Sequence, residues 1–432
     1  MMKSKGCLTT FLIAVIIITS LSMAGVYLLL NTGLYTGPEP EYTSLAITEV
    51  TIFDGEKVLE NQTVVIEGED ITCVGPDCDI PKEAKKINGK GKNLTPGLVD
   101  MHIHFYNPSK ESAGMSPQRQ FLDYIKQRPD VRMNLIRAGV TTVRSVGDIP
   151  ENILKLREQI QSGEMAGPDV YSTGPLFTAP GGHPAGTMYQ GNDFLVENGT
   201  RQVTDSETAV NIVNELAALG LHGIKAVYDD QNGSIPKLKG DILQAIIEAA
   251  HQKNLWVSVH TGTTSDVKEA VEWGADMIEH GAGDPLDSAT IALLKEKGIL
   301  YVPTLVSAEA NLDGEFQESI PFKNVQKLIE AEVALGVGTD VYEQMEFGSS
   351  LLRELELLVE AGLSPEDVLQ AATSQAALSL KLDNLIGNIE AGKRADLILL
   401  GEKPWEDISA LRKPKTVIQA GVVMVENGKV LE

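Results

Sequence analysis

Two histidines close the run Leu94-Thr95-Pro96-Gly97-Leu98-Val99-Asp100-Met101-His102-Ile103-His104. Its apolar character predicts a short buried strand from Leu98. Side chains at i and i+2 of a strand point to one face, so both imidazoles can reach a single point. One metal ion at the strand's end is the simplest use of that geometry. Two satisfied polar residues at a strand terminus would give the same pattern, so the rest of the chain must choose.

The elements that position these residues are legible as an alternation. Strands are predicted at Leu98–His104, Thr141–Ser145, Asp169–Ser172, Gly223–Val227, Leu255–His260, Met277–His280, Leu300–Pro303 and Val333–Asp340, with helices between them, such as Gly240–Lys253 and Asp266–Trp273. Eight strand–helix units predict an α/β fold, a (β/α)8 TIM barrel, whose active site lies at the C-terminal ends of the strands. Those ends carry His102 and His104, Lys225, His260, His280 and Asp340. Four of the chain's seven histidines choose these ends, which metal binding explains economically. Lys225 sits among apolar neighbours, where its pKa must fall. A neutral lysine amine can take up carbon dioxide as a carbamate, an anionic group able to bridge two metals.

The flanks read differently. Residues 44–96 and 385–432 are β-rich with turn sequences, including Asn427-Gly428. They predict a discontinuous β-sandwich around a barrel spanning 97–384. Residues 32–43 read as a linker. Lys3 and Lys5 precede a charge-free apolar run from Phe11 to Leu30, which at about 1.5 Å per residue matches a bilayer core of roughly 30 Å. Residues 1–31 are therefore expected to be an N-terminal transmembrane helix in the lipid bilayer, leaving a membrane-anchored, extracytoplasmic catalytic domain. Secretion after cleavage near Ser22-Met23-Ala24 is the alternative. In an exported domain Cys73 and Cys78, around a turn-like sequence, can form a disulfide or stay as thiols. The formal net charge of −24 argues against nucleic acid as a partner.

The set of strand-end residues resembles the amidohydrolase superfamily. Pro96–His104 resembles its first-strand signature, Gly139-Val140-Thr141-Thr142-Val143-Arg144 its second strand, and Gly387–Leu397 its return into the sandwich. The resemblance implies two divalent metal ions, zinc by default. His102, His104 and Asp340 would hold the first, His260 and His280 the second, and carboxylated Lys225 would bridge them. Asp340 would move the proton from a metal-bridging hydroxide to the leaving amine. Ile278-Glu279-His280-Gly281 and Tyr301–Leu305 are similar to the imidazolonepropionase-like and Xaa-Pro dipeptidase-like branch. That branch implies a small dipeptide or N-acyl amino acid substrate. It also implies Tyr228 as an oxyanion donor and His183 and Arg144 as substrate contacts, Arg144 through a carboxylate. Deaminases of the superfamily carry a Glu three residues after the fifth-strand histidine. Here that residue is Thr263, which favours amide hydrolysis.

The chain departs from the pattern at Thr261-Gly262 and at Val341-Tyr342-Glu343. Glu279 is expected on the opposite face from His280, in a structural role, and His222 and His251 away from any metal. The competing expectations are a mononuclear deaminase or cyclic amidohydrolase, and a non-catalytic surface binding protein on the same fold.

Overall fold

The structure is a computed structural model that describes residues 37–39, 42–105, 131–312, 314–341 and 345–431. Strands from both ends of the chain join one nine-stranded sheet. The seam is the antiparallel pairing of Asn93–Pro96 with Leu397–Leu400. Inward-facing Leu45, Ile47, Ile52, Ile66, Leu94, Leu397 and Ile418 form its core. Asn427 and Gly428 turn the last hairpin with φ of 49° and 81°, the left-handed pair that a two-residue hairpin demands. Cys73 and Cys78 are joined by a disulfide.

The middle of the chain builds two parallel sheets. One contains Leu98–Ile103, Val140–Ser145 and Asp169–Ser172; the other includes Gly223–Tyr228, Trp256–Thr261, Met277–Glu279 and Leu300–Val302. Residues 333–340 lie between the sheets. Tyr301 N donates to Ala334 O at 2.9 Å and Met101 N to Val337 O at 2.8 Å. Asp100 reinforces this closure by accepting from Thr339 N at 3.1 Å and Thr339 Oγ1 at 2.8 Å. The eighth predicted strand is thus an extended segment with a single bridge, Leu335 to Tyr301. Gly336 and Gly338 loosen it, and Gly338 has a reason: a Cβ there would lie 2.7 Å from His102 Cβ. Two short strands, Leu176–Thr178 and Thr200–Gln202, are added after the third barrel strand and carry the loop containing His183 between them.

Helices cover the barrel with apolar faces such as Ile242, Ile246, Ile247 and Ala250. The helix Thr264–Glu272 starts where its capping chemistry dictates. Thr263 accepts from Asp266 N at 3.2 Å and donates its own N–H to Asp266 Oδ2 at 3.0 Å. Ser364 likewise caps Pro365–Ala371 through Asp367 N at 3.1 Å.

The expectation of a membrane-anchored chain partnered by a lipid bilayer is corrected. Among the described residues no helix is long and apolar enough to cross a membrane. The run from Phe11 to Leu30 that motivates that expectation lies outside the described residues.

Candidate active site

Strand periodicity brings His102 and His104 to one face. The segment after Gly338 then folds Asp340 against them, with Asp340 N donating to His102 O at 2.7 Å. Asp340 Oδ1 lies 3.2 Å from His104 Nε2 and 3.5 Å from His102 Nε2, and Oδ2 lies 3.7 Å from His280 Nδ1. His102, His280 and Asp340 bring ligand atoms within 4.8 Å of one another, a spacing that could hold a metal ion. The ring of His260 stands 4.6 Å from that of His280, and His183 5.1 Å from His260. Three residues reach their places through left-handed backbone: His280 (φ 62°), Thr304 (φ 49°) and Asp340 (φ 49°). Such conformations cost about 1–3 kcal/mol each and gather where function over-determines them.

The electrostatics suit a cation. Burial pushes the His102 imidazole down to about 4, with Lys225 adding to the effect, and holds His280 well below its usual value. Neutral imidazoles are the form that binds metal. Burial alone would raise Asp340, but His280, His102 and His104 outweigh it and keep the carboxyl ionised. Lys225 is 1% exposed, burial lowers its pKa to about 8, and its Nζ has no hydrogen-bond partner among the described residues. His102 Nε2 and His104 Nδ1 are likewise buried without a hydrogen bond to any described residue. Polar atoms left unpaired in a native interior point to a bound ion or group, and this donor set fits a divalent metal.

The site opens into a cavity of about 500 Å³ whose wall includes Leu176, His183, Pro184, Met188, Tyr189 and Val227. The amidohydrolase family matches over residues 93–431. The chain belongs to the amidohydrolase family. Residues 45–94 match a second family, the NagA composite domain. Ochratoxinase of Aspergillus niger is 28% identical over 412 residues, covering 84% of this chain and 82% of that protein. Imidazolonepropionase of Shouchella clausii is 24% identical, covering 87% and 88%. A solved Xaa-Pro dipeptidase with methionine in its active site is 28% identical, with a TM-score of 0.76 over 89% of this chain and all of that one.

Two expected substrate contacts of this amidohydrolase are placed elsewhere. Arg144 is fully buried beneath the histidines. Its Nη2 binds Glu279, its Nε binds Met101 O, and its guanidinium lies 5.2 Å from the Trp256 ring. The carboxylate it pairs with is the protein's own. Tyr228 is on the outer face of its strand, donating to Glu269 Oε2 at 2.6 Å and packing edge-on against Trp273. Lys225 and Val227 face the cavity, so a residue three after Lys225 must face the helices. His183 does reach the cavity wall, with Nδ1 2.7 Å from Thr187 Oγ1. His222 lies outside, its Nδ1 accepting from Ser172 N at 3.3 Å, and His251 pairs with Asp276 at 3.0 Å.

Glu279 is the residue whose position sequence reasoning misses. It points inward with Met277, and its Oε2 lies 2.6 Å from His102 Nδ1. Burial would raise its pKa, but Arg144, Lys225 and His102 together hold it well below the usual range. His280 shares the interior only because its left-handed φ turns it back after the strand ends. Alternation counted from Met277 is the available clue.

Proposed function

We propose that this amidohydrolase cleaves C–N bonds of small amides, dipeptides or N-acyl amino acids among them, at a site for two divalent metal ions. His102, His104 and Asp340 would hold one ion, His260 and His280 the other, and Lys225, as a carbamate, would serve both. The donor set of imidazoles and carboxylates suits zinc first. When bound, the ions supply Lewis acidity and a water acidified towards neutral pH.

Asp340, ionised and facing the cavity, takes the proton of the attacking water and returns it to the leaving nitrogen, since an amine leaves poorly unless protonated. His183, its Nδ1 engaged by Thr187, offers its other nitrogen to the substrate carbonyl. The apolar wall of Leu176, Pro184, Met188 and Val227 suits an apolar group beside the scissile bond. Thr263 acts as a helix cap, a role that leaves no carboxylate where a deaminase would place its glutamate.

The observation that carries this reading is the buried Lys225 Nζ, without a hydrogen bond to any described residue, in a cavity lined by His102, His104, His260, His280 and Asp340. Elemental analysis should find two metal ions per chain, and a dipeptide and N-acyl amino acid library should release free amines. Asp340→Asn should slow turnover at least 100-fold. One ion per chain with ammonia as product would replace this reading by the mononuclear deaminase.

A further inference from the structure

Asp229 has no part in the chemistry above, yet it stands directly behind a proposed ligand. It follows Lys225 and Val227 on the inward side of strand Gly223–Tyr228, just past the strand's end, and is 7% exposed. Its Oδ1 accepts from Gln231 N at 2.8 Å, which fixes the carboxylate in a tight turn. Its Oδ2 lies 3.4 Å from His260 Nε2. That nitrogen therefore faces a carboxylate, leaving Nδ1 for the site.

His102 and His280 show a similar division, whereas His104 Nδ1 has no hydrogen-bond partner among the described residues. His102 Nδ1 meets Glu279 at 2.6 Å while its Nε2 is buried on the Asp340 side without a hydrogen bond to any described residue. His280 Nδ1 lies 2.9 Å from Thr304 Oγ1. A ligand histidine whose outer nitrogen is held by an acceptor has its tautomer and ring angle fixed, and its inner nitrogen becomes more basic.

The neighbouring loop has made room for this carboxylate. A Cβ at Gly262 would lie 2.0 Å from Asp229 Oδ1, and the Gly262 backbone is not in the left-handed region. Space, not conformation, is what glycine provides there. The unusual Thr261-Gly262 sequence after the fifth strand thus has a physical partner on the fourth.

We infer that Asp229 is a positioning residue that holds His260 through Nε2 so that Nδ1 is its metal-binding nitrogen, and that Gly262 exists to admit it. This rests on the two-ion reading above.

The test uses the full chain loaded with zinc and titrated against a competing chelator, with cobalt loading for the visible spectrum. Asp229→Ala should weaken one of the two ions by about 10–100-fold, leave the other unchanged, and alter the cobalt spectrum. Asp229→Asn keeps an oxygen acceptor and should recover most of that loss. Gly262→Ala should reproduce the loss by displacing the carboxylate, which provides a second route should Asp229→Ala fold poorly. Two ions bound with wild-type affinity and spectrum in Asp229→Ala would overturn the inference. So would a rise in KM confined to substrates bearing an α-ammonium group with metal affinity unchanged, since Asp229 would then contact substrate. If the wild-type chain itself binds no metal, the two-ion reading falls and this inference with it. If the wild type binds two and the variants do as well, only this inference falls.

Discussion

Two carboxylates stand behind histidines of this site, in opposite surroundings. The His102–Glu279 pair is sealed inside the barrel, with side chains 1% and 0% exposed, and Arg144 closes it from below. The His260–Asp229 pair lies at the rim, with side chains 19% and 9% exposed, and is held by a backbone N–H instead of a cation. An ionised carboxylate in the interior needs a counter-charge, because desolvation costs more than one neutral hydrogen bond returns. At the rim, water and a turn suffice. The inner pair is therefore bound up with folding, and the outer pair with the site alone.

The largest expected effect breaks the inner pair. Arg144→Met leaves Glu279 buried without its cation and should cost about 3–5 kcal/mol in denaturant unfolding. A small loss of stability, joined to a selective rise in KM for carboxylate-bearing substrates, would return Arg144 to the role of substrate contact. Glu279→Gln is milder towards the fold but strikes the ligand, and zinc affinity should fall about 10–100-fold by chelator competition. Unchanged affinity would show that His102 needs no acceptor on its Nδ1.

Much of this site is legible because strands repeat every two residues and a barrel gathers strand ends. His102, His104, Lys225 and His260 follow from those two rules, whereas Asp340 reaches the site through a left-handed residue at the end of an extended segment. Tyr228, expected from the resemblance alone, lies three residues after Lys225, a spacing that changes the face. Arg144 reads as the partner of a carboxylate, and it is one; no local pattern tells whether that carboxylate belongs to substrate or to Glu279, 135 residues away. Glu279 itself is hidden by the left-handed turn at His280, which puts adjacent residues into one interior. Asp229 and Gly262 depend on a contact between two strand ends that alternation alone does not reveal.

A second buried glutamate sharpens the contrast of paired and unpaired charge through pH. Glu354 accepts from Leu305 N at 3.0 Å and Val306 N at 2.7 Å at the start of the helix bearing Ser307, whose hydroxyl lies 3.4 Å from Asp340. Unlike Glu279 it faces no cation in contact among the described residues, and burial pushes it from 4.5 up to about 8 against those two donors. A carboxyl raised in the fold contributes stability that is full below about 4.5. That contribution is lost as the pH rises to about 8, because the unfolded chain ionises first. Glu279, lowered in the fold, does the reverse: its contribution is full above its ordinary value of 4.5 and is lost as the pH falls below it towards the lowered folded value. Glu354→Gln should therefore gain on the wild type between pH 5 and 8, at up to about 1.4 kcal/mol per pH unit. A stability difference independent of pH would mean that the two N–H donors hold Glu354 ionised throughout.

The smallest effect separates the two faces of one strand. Lys225 and Val227 look into the cavity, while Tyr228 spends its hydroxyl on half-buried Glu269 among the outer helices. Tyr228→Phe keeps the ring against Trp273 and removes a single hydrogen bond, so stability should fall by about 1 kcal/mol or less. Glu269 can turn to water, which limits the loss. The hydroxyl has no path to the substrate from the outer face, so turnover and KM should both stay within about two-fold of wild type, a change in barrier below about 0.5 kcal/mol. If turnover instead fell about 100-fold with stability intact, roughly 2.7 kcal/mol of barrier, the phenol would have to reach the cavity, and the division of this strand into a chemical face and a packing face would fail.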